Sequence, residues 1–243
     1  MTEHAVSRLR AARLARSSRP FLARGSRCER CAGCRLLPSY CMCELRPRVQ
    51  ADAGVCLLMH DVEPLKPSNT GWLIADLLPD TFAFGWSRTE VDPALLQLLA
   101  DPQWQPYVVF PGEYVEPQRV LHSLPTEQTA GKPLFILLDA TWSEARKMFR
   151  KSPYLEGFPV LSLQPEQLSR YRLRRSKYAE HLCTAEVAGL CLELAGAPRA
   201  AAVVEAYLEV FTERYIAAKR AWPLNPRSAA HEALAACIEP AAG

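Results

Sequence analysis

The chain has 243 residues and a mass of 27.1 kDa, with 49% apolar and 23% charged residues, ordinary globular usage that excludes a wholly disordered chain. No apolar run reaches the roughly 18 residues of a membrane span, and the N-terminal arginines are followed by no apolar stretch of the kind a secretory signal carries. The net charge of +3 divides unevenly, since residues 1–48 hold eleven arginines, no lysine and three acids, leaving residues 49–243 net acidic.

In chain order, residues 1–26 read as a basic arm or helix. Arg8, Arg10, Arg13, Arg16, Arg19 and Arg24 circle its helical wheel, so it has little apolar face of its own. Arginine suits phosphate, and a basic front on an acidic body predicts a polyanion partner; a solvated helix is the plainer alternative. Without an export signal, the nine cysteines are expected to be cytoplasmic thiols or metal ligands, not disulfides.

Residues 27–48 carry Cys28, Cys31, Cys34, Cys41 and Cys43. Pairs of thiolates two residues apart reach one ion from a tight turn, and zinc takes four in a tetrahedron. Cys31, Cys34, Cys41 and Cys43 form the neatest set, with Cys28 outside it. A segment this short buries little core, so the metal is expected to supply its folding energy. Iron–sulfur ligation is the lesser alternative.

From residue 49 to about 220, apolar runs alternate with amphipathic stretches. Strands are predicted at Val55–Met59, Thr81–Gly85, Tyr107–Phe110, Leu134–Asp139 and Pro159–Leu163. Helices are predicted at Gly71–Leu78, Pro93–Leu99, Trp142–Arg150, Ala185–Ala195 and Ala200–Lys219. Short continuous apolar strands separated by helices argue for an α/β fold with a mostly parallel sheet. Residues 221–243 read as a peripheral tail. Cys56, Cys183, Cys191 and Cys237 sit among apolar or small residues and are expected to be core or incidental.

No glycine-rich dinucleotide fingerprint, phosphate loop, zinc-protease helix or nucleophile elbow is present. Three polar segments stand out instead, and open α/β sheets bind ligands beyond the carboxyl ends of their strands. The first, His60 to Gly71, ends in Ser68, Asn69 and Thr70, residues that open helices and leave backbone N–H groups for an anion; Lys66 adds charge. Plain capping explains it equally well. In the second, Thr141 and Glu144 read as a capping box, which leaves Asp139 free at a strand end beside Trp142. An acid and an indole there suit proton acceptance and stacking. The third is Cys183-Thr184-Ala185-Glu186, a cap. Farther on, Arg170, Arg172, Arg174, Arg175 and Lys177 lie among Tyr171 and Tyr178, a mixture that suits RNA backbone and base stacking.

Together these residues resemble the bacterial DTW-domain tRNA-uridine aminocarboxypropyltransferases. The likeness rests on the Cys31/Cys34/Cys41/Cys43 spacing, residues 63–71, Asp139-Ala140-Thr141-Trp142, residues 145–154, Tyr171-Arg172-Leu173-Arg174 and residues 183–188. It covers about residues 5–220, with Cys28 and the tail outside the pattern.

The resemblance implies a SPOUT-like fold with a knotted cofactor site. It implies transfer of the 3-amino-3-carboxypropyl group of S-adenosylmethionine to N3 of a tRNA uridine, at variable-loop position 47, with release of methylthioadenosine. Asp139, Thr141 and Trp142 would then serve the reaction. Glu63, Lys66, Ser68, Asn69, Thr70, Gly71, Pro111, Gly112, Thr184, Ala185 and Glu186 would bind S-adenosylmethionine. Arg8, Arg13, Arg16, Arg19, Arg172, Arg174 and Arg175 would meet tRNA, with zinc structural, no membrane or protein partner, and the cytoplasm as location. Asp139 has two roles open, proton acceptor or cofactor anchor, with the first favoured. An S-adenosylmethionine-dependent RNA methyltransferase and a non-catalytic zinc-containing RNA-binding protein are the alternatives.

Overall fold

The computed structural model describes residues 3–18, 28–125, 131–163 and 182–238. Among them, six strands form one parallel sheet in the order β2-β1-β5-β3-β6-β4. They are β1 (Gly54–Met59), β2 (Thr81–Gly85), β3 (Trp104–Val109), β4 (Val120–Leu121), β5 (Lys132–Asp139) and β6 (Val160–Leu161). β1 is buried throughout and pairs on one side with β2 and on the other with β5. The predicted strands are all present. β4 was not predicted, because two residues make no apolar run.

The helices are α1 (Ala5–Ala15), α2 (Gly71–Leu77), α3 (Pro93–Ala100), α4 (Trp142–Arg150), α5 (Thr184–Leu194), α6 (Pro198–Arg220) and α7 (Ala229–Ile238). Strand side chains alternate between two cores. Val55, Leu57, Met59, Phe135 and Leu137 face a thick layer containing α1, α2, α5, α6 and α7. Cys56, Leu58, Leu134 and Ile136 face a thinner layer containing α3 and α4. Continuous apolar strands are what such two-sided burial requires.

Two terminal segments are more integral than their sequences suggest. α1 starts at a capping box in which His4 Nδ1 accepts from Ser7 N–H at 3.2 Å and Ser7 Oγ accepts from His4 N–H at 3.0 Å. Its Val6 is fully buried. The tail read as peripheral contains α7, whose Ala230 and Leu234 are buried in the same core.

α1, α2 and α6 meet at the buried Asp76. Its carboxylate takes Tyr207 Oη at 3.2 Å, Arg46 Nη2 at 3.0 Å and His4 Nε2 at 3.4 Å. Burial pushes this carboxyl up from 3.8 to about 7, against the pull of Arg46 and the Tyr207 hydroxyl. A carboxyl raised in the folded chain stabilises folding when protonated, and that contribution is lost as pH rises through its folded value. This carboxyl is therefore expected to contribute a loss of thermal stability between about pH 4 and pH 7, opposed by His4, which burial lowers to about 4, and Asp76→Asn to remove the carboxyl's contribution. Equal slopes for both proteins in a series of unfolding midpoints would overturn this assignment.

Candidate active site

Because the sheet is parallel, the loops after β1, β3, β5 and β6 all leave from one edge. Asp139 ends β5 there. Its side chain falls on the α2/α5 face, 4% exposed. Asn69 Nδ2 donates to Asp139 Oδ2 at 2.7 Å, and Thr184 Oγ1 donates to Asp139 Oδ1 at 2.7 Å. Thr70 Oγ1 accepts from Ala185 N–H at 3.3 Å. The three polar segments singled out in the sequence are thus joined at one carboxylate. Asp139 is not free, as the strand-end reading supposed, since each of its oxygens already accepts a side-chain hydrogen bond.

Burial raises the Asp139 carboxyl from 3.8 to about 6, while the bonds from Asn69 and Thr184 oppose the rise. Gly71 makes the close approach possible. A Cβ there would lie 2.8 Å from Asp139 Oδ2 and 3.2 Å from Leu57 Cδ1, so a side chain would drive the carboxylate away.

Each loop is also tied locally. Asn69 Oδ1 accepts from Trp72 N–H at 3.1 Å and caps α2. Lys66 pairs with the buried Glu63, and Ser68 is exposed. Glu186 Oε2 accepts from Cys183 N–H at 2.7 Å and caps α5. Thr141 and Glu144 form the expected capping box of α4. Trp142 falls on the other face of the sheet, 37% exposed. It stacks on Phe110 with centroids 5.5 Å apart and 15° between the planes, and meets Tyr114 edge-on at 5.7 Å. The acid and the indole of one motif therefore serve opposite faces.

Pro111 and Gly112 leave β3 at this edge but do not join the Asp139 group. Gly112 N–H donates to Ser162 Oγ at 3.0 Å, tying them to the end of β6. Of the basic residues, Arg8 and Arg16 are exposed on the α1 side of the protein. Arg13 forms a bidentate pair with Asp61, at 2.6 and 2.7 Å, which holds α1 to the loop after β1. Arg19, Arg172, Arg174 and Arg175 lie outside the described residues.

The cysteine set is gathered as its spacing predicted. The sulfurs of Cys31, Cys34, Cys41 and Cys43 all lie within 4.8 Å of one another. Separations of 3.5 Å for Cys31–Cys41, 3.6 Å for Cys31–Cys43 and 3.7 Å for Cys34–Cys41 approach the roughly 3.8 Å edge of a tetrahedron with zinc–sulfur bonds of about 2.3 Å. The donor set fits zinc. Cys28 is exposed and outside it.

This segment packs against the body of the protein. Leu36 and Met42 are fully buried in the main core. Gly33 O accepts from Trp72 Nε1 at 2.8 Å and Arg46 Nη2 at 3.2 Å, and Cys41 O accepts from Arg214 of α6.

Trp86 and Arg88 also follow a predicted strand, at the same edge of the sheet as Asp139. Among the described residues, no helix is long and apolar enough to cross a membrane. No solved structure matches the chain. A family model described as the DTW domain matches residues 28–216, and the chain belongs to the DTW-domain family.

Proposed function

We propose that this chain transfers the 3-amino-3-carboxypropyl group of S-adenosylmethionine to N3 of a tRNA uridine, position 47 of the variable loop, and releases methylthioadenosine. The observation that carries the reading is the junction at Asp139, which gathers three segments of the family pattern at the edge where parallel sheets bind ligands. Membership of the DTW family supports tRNA as the substrate, and with it the cytoplasm as the place of action. The knotted, SPOUT-like cofactor site belongs to the same reading. Residues 164–181, which join β6 to α5, lie outside the described residues.

The sulfonium activates three carbons, so the site must choose which one meets the nucleophile, and orientation is the large contribution in such a displacement. Uridine N3 loses its proton and attacks the γ-methylene. The carbon–sulfur bond breaks with its electron pair going to sulfur, which discharges the sulfonium. Segments 69–71 and 184–186, held through Asp139, orient S-adenosylmethionine in this reading, and the exposed Trp142 offers a base-stacking face. Asp139 acts as a positioning residue, since its burial and its two accepted bonds suit holding loops better than taking a proton. Zinc on the four cysteines is structural.

S-adenosylmethionine labelled in its carboxyl carbon tests the assignment against unmodified tRNA. Label is expected in a modified uridine, with methylthioadenosine as co-product. Label retained in S-adenosylhomocysteine would refute it and identify a methyltransferase.

The arm carries a separate expectation. Replacing Arg8, Arg16 and Arg19 by alanine, with Arg13 left on Asp61, should weaken tRNA binding and lower the salt slope by about one for each phosphate that is no longer neutralised. S-adenosylmethionine affinity should not change. Unchanged tRNA affinity at several salt concentrations would leave the arm with no part in RNA binding.

A further inference from the structure

A cavity of about 370 Å³ opens between α1 and the carboxyl ends of β1 and β2, lined among others by Arg13, Arg16, His60, Asp61, Trp86 and Arg88. It lies at the same edge as the Asp139 junction, because His60 N–H donates to Asp139 O at 2.9 Å. Its size falls within the range of small-ligand pockets. Three arginines against one aspartate give it a positive rim, and Arg16 and Arg88 are exposed. Trp86 and the His60 ring lie nearly parallel, at 24°, with centroids 6.1 Å apart. Trp86 Nε1 donates to Ser152 Oγ at 2.9 Å, which fixes the indole. Aromatic faces beside arginines are how single nucleotides are held.

His60 is further constrained. Its Nδ1 is buried and faces Glu144 Oε1 at 3.4 Å. The exposed part of the ring is therefore its other edge. Hydrogen bonds from Thr141, the largest influence, hold Glu144 below the usual carboxylate range, so the charge facing His60 persists. An imidazole oriented at one nitrogen by a carboxylate presents the other for proton transfer.

We infer that this cavity is the subsite for the acceptor nucleotide, with His60, oriented by Glu144, receiving the N3 proton of uridine. The inference rests on the proposed transfer reaction. The N3–H bond breaks toward His60 Nε2, N3 bonds to the γ-carbon of S-adenosylmethionine, and the carbon–sulfur electron pair returns to sulfur. The imidazolium then loses its proton to solvent. Charged groups beside this ring are Glu144 from α4, with Lys66 acting on it, Arg13 and Arg16 from α1, Asp61 and Arg88 beyond β2.

Single-turnover transfer is measured across pH for wild type, His60→Gln and Glu144→Gln, with dissociation constants for tRNA and S-adenosylmethionine on each. His60→Gln should slow transfer by about 100-fold or more, with both dissociation constants within about threefold of wild type. The fall in rate toward acid should change in it, and the part that remains belongs to Asp139, whose carboxyl, raised to about 6, also holds the loops. Glu144→Gln, which keeps an oxygen for the Thr141 cap, should lose less rate and change the same limb. A His60→Gln rate within about threefold of wild type, or an unchanged acid limb, would overturn the proton-acceptor role.

A readout without turnover uses tRNA carrying 4-thiouridine at the variable-loop position. Photocrosslinks are expected on peptides containing His60, Trp86 or Arg88. Crosslinks confined to Tyr114 and Trp142 would overturn the subsite even if transfer is confirmed. A wild-type protein that crosslinks in the cavity but makes no aminocarboxypropyl-uridine would keep the subsite and sink the transfer reaction.

Discussion

Asp139→Ala is expected to lower single-turnover transfer by roughly 100-fold and to weaken S-adenosylmethionine binding with it. The reason is geometric: Asn69 Nδ2 and Thr184 Oγ1 each donate to this carboxylate at 2.7 Å, so its removal releases two loops at once. A displacement of about 1 Å in a positioned reactant can cost about 100-fold. The buried Asn69 donor left unmatched also costs about 1–3 kcal/mol in stability, and the half-buried Thr184 hydroxyl less. Asp139→Asn keeps one acceptor oxygen but turns an amide donor toward an existing donor, and is expected to fall between wild type and alanine. A proton acceptor would behave otherwise, losing rate while cofactor affinity stayed constant. Measuring rate, dissociation constant and unfolding midpoint on the same two variants separates these outcomes. Unchanged affinity with a large loss of rate would return Asp139 to the role of base, and near-wild-type values for all three would remove it from the site.

The second large effect concerns the four cysteines. Purified protein is expected to carry about one zinc per chain, and Cys34→Ser or prolonged chelation to lower stability strongly. Metal supplies folding energy to a segment that forms no core alone. Here the loss spreads further, because Leu36 and Met42 of that segment are fully buried in the main core. Burial of each is worth roughly 1.5–3 kcal/mol. Release of the segment should also disturb Trp72 and Arg214, which donate to Gly33 O and Cys41 O. Elemental analysis with thermal unfolding before and after chelation checks both statements. A metal-free protein with an unchanged midpoint would contradict them.

What the sequence made legible followed from local rules. β2 and α4 occupy the predicted spans, since a short apolar run between turns and a capping box are both local signals. The Cys31–Cys43 set was readable because thiolate spacing is a constraint within a few residues. Asp139 was readable as an acid ending an apolar strand, but its partners were not. Asn69 lies 70 residues away and Thr184 lies 45 away, and no periodicity encodes which cap meets which strand end. The same holds for the sheet order, for Leu36 and Met42 in the core, and for α7 against α6. Each depends on packing between distant segments, where many pairings satisfy the same apolar pattern.

The position of β5 sets an order of assembly. β5 lies between β1 and β3, although it follows both in the chain. As the protein is synthesised, β1 and β2 can pair early, but the inner edge of β1 has no partner until β5 emerges. At about 5–20 residues per second, the stretch from Met59 to Asp139 takes roughly 4–16 s to make. Throughout that interval an apolar strand edge stands open, the kind of surface that recruits other chains. The cysteine segment and α1 precede it and cannot cover it, since they belong to one face of the sheet and not to its edge. Nascent chains stalled before β5 should therefore be the aggregation-prone species and the ones that need chaperone binding. The arrival of β5 closes that edge and delivers Asp139 at its end in the same event.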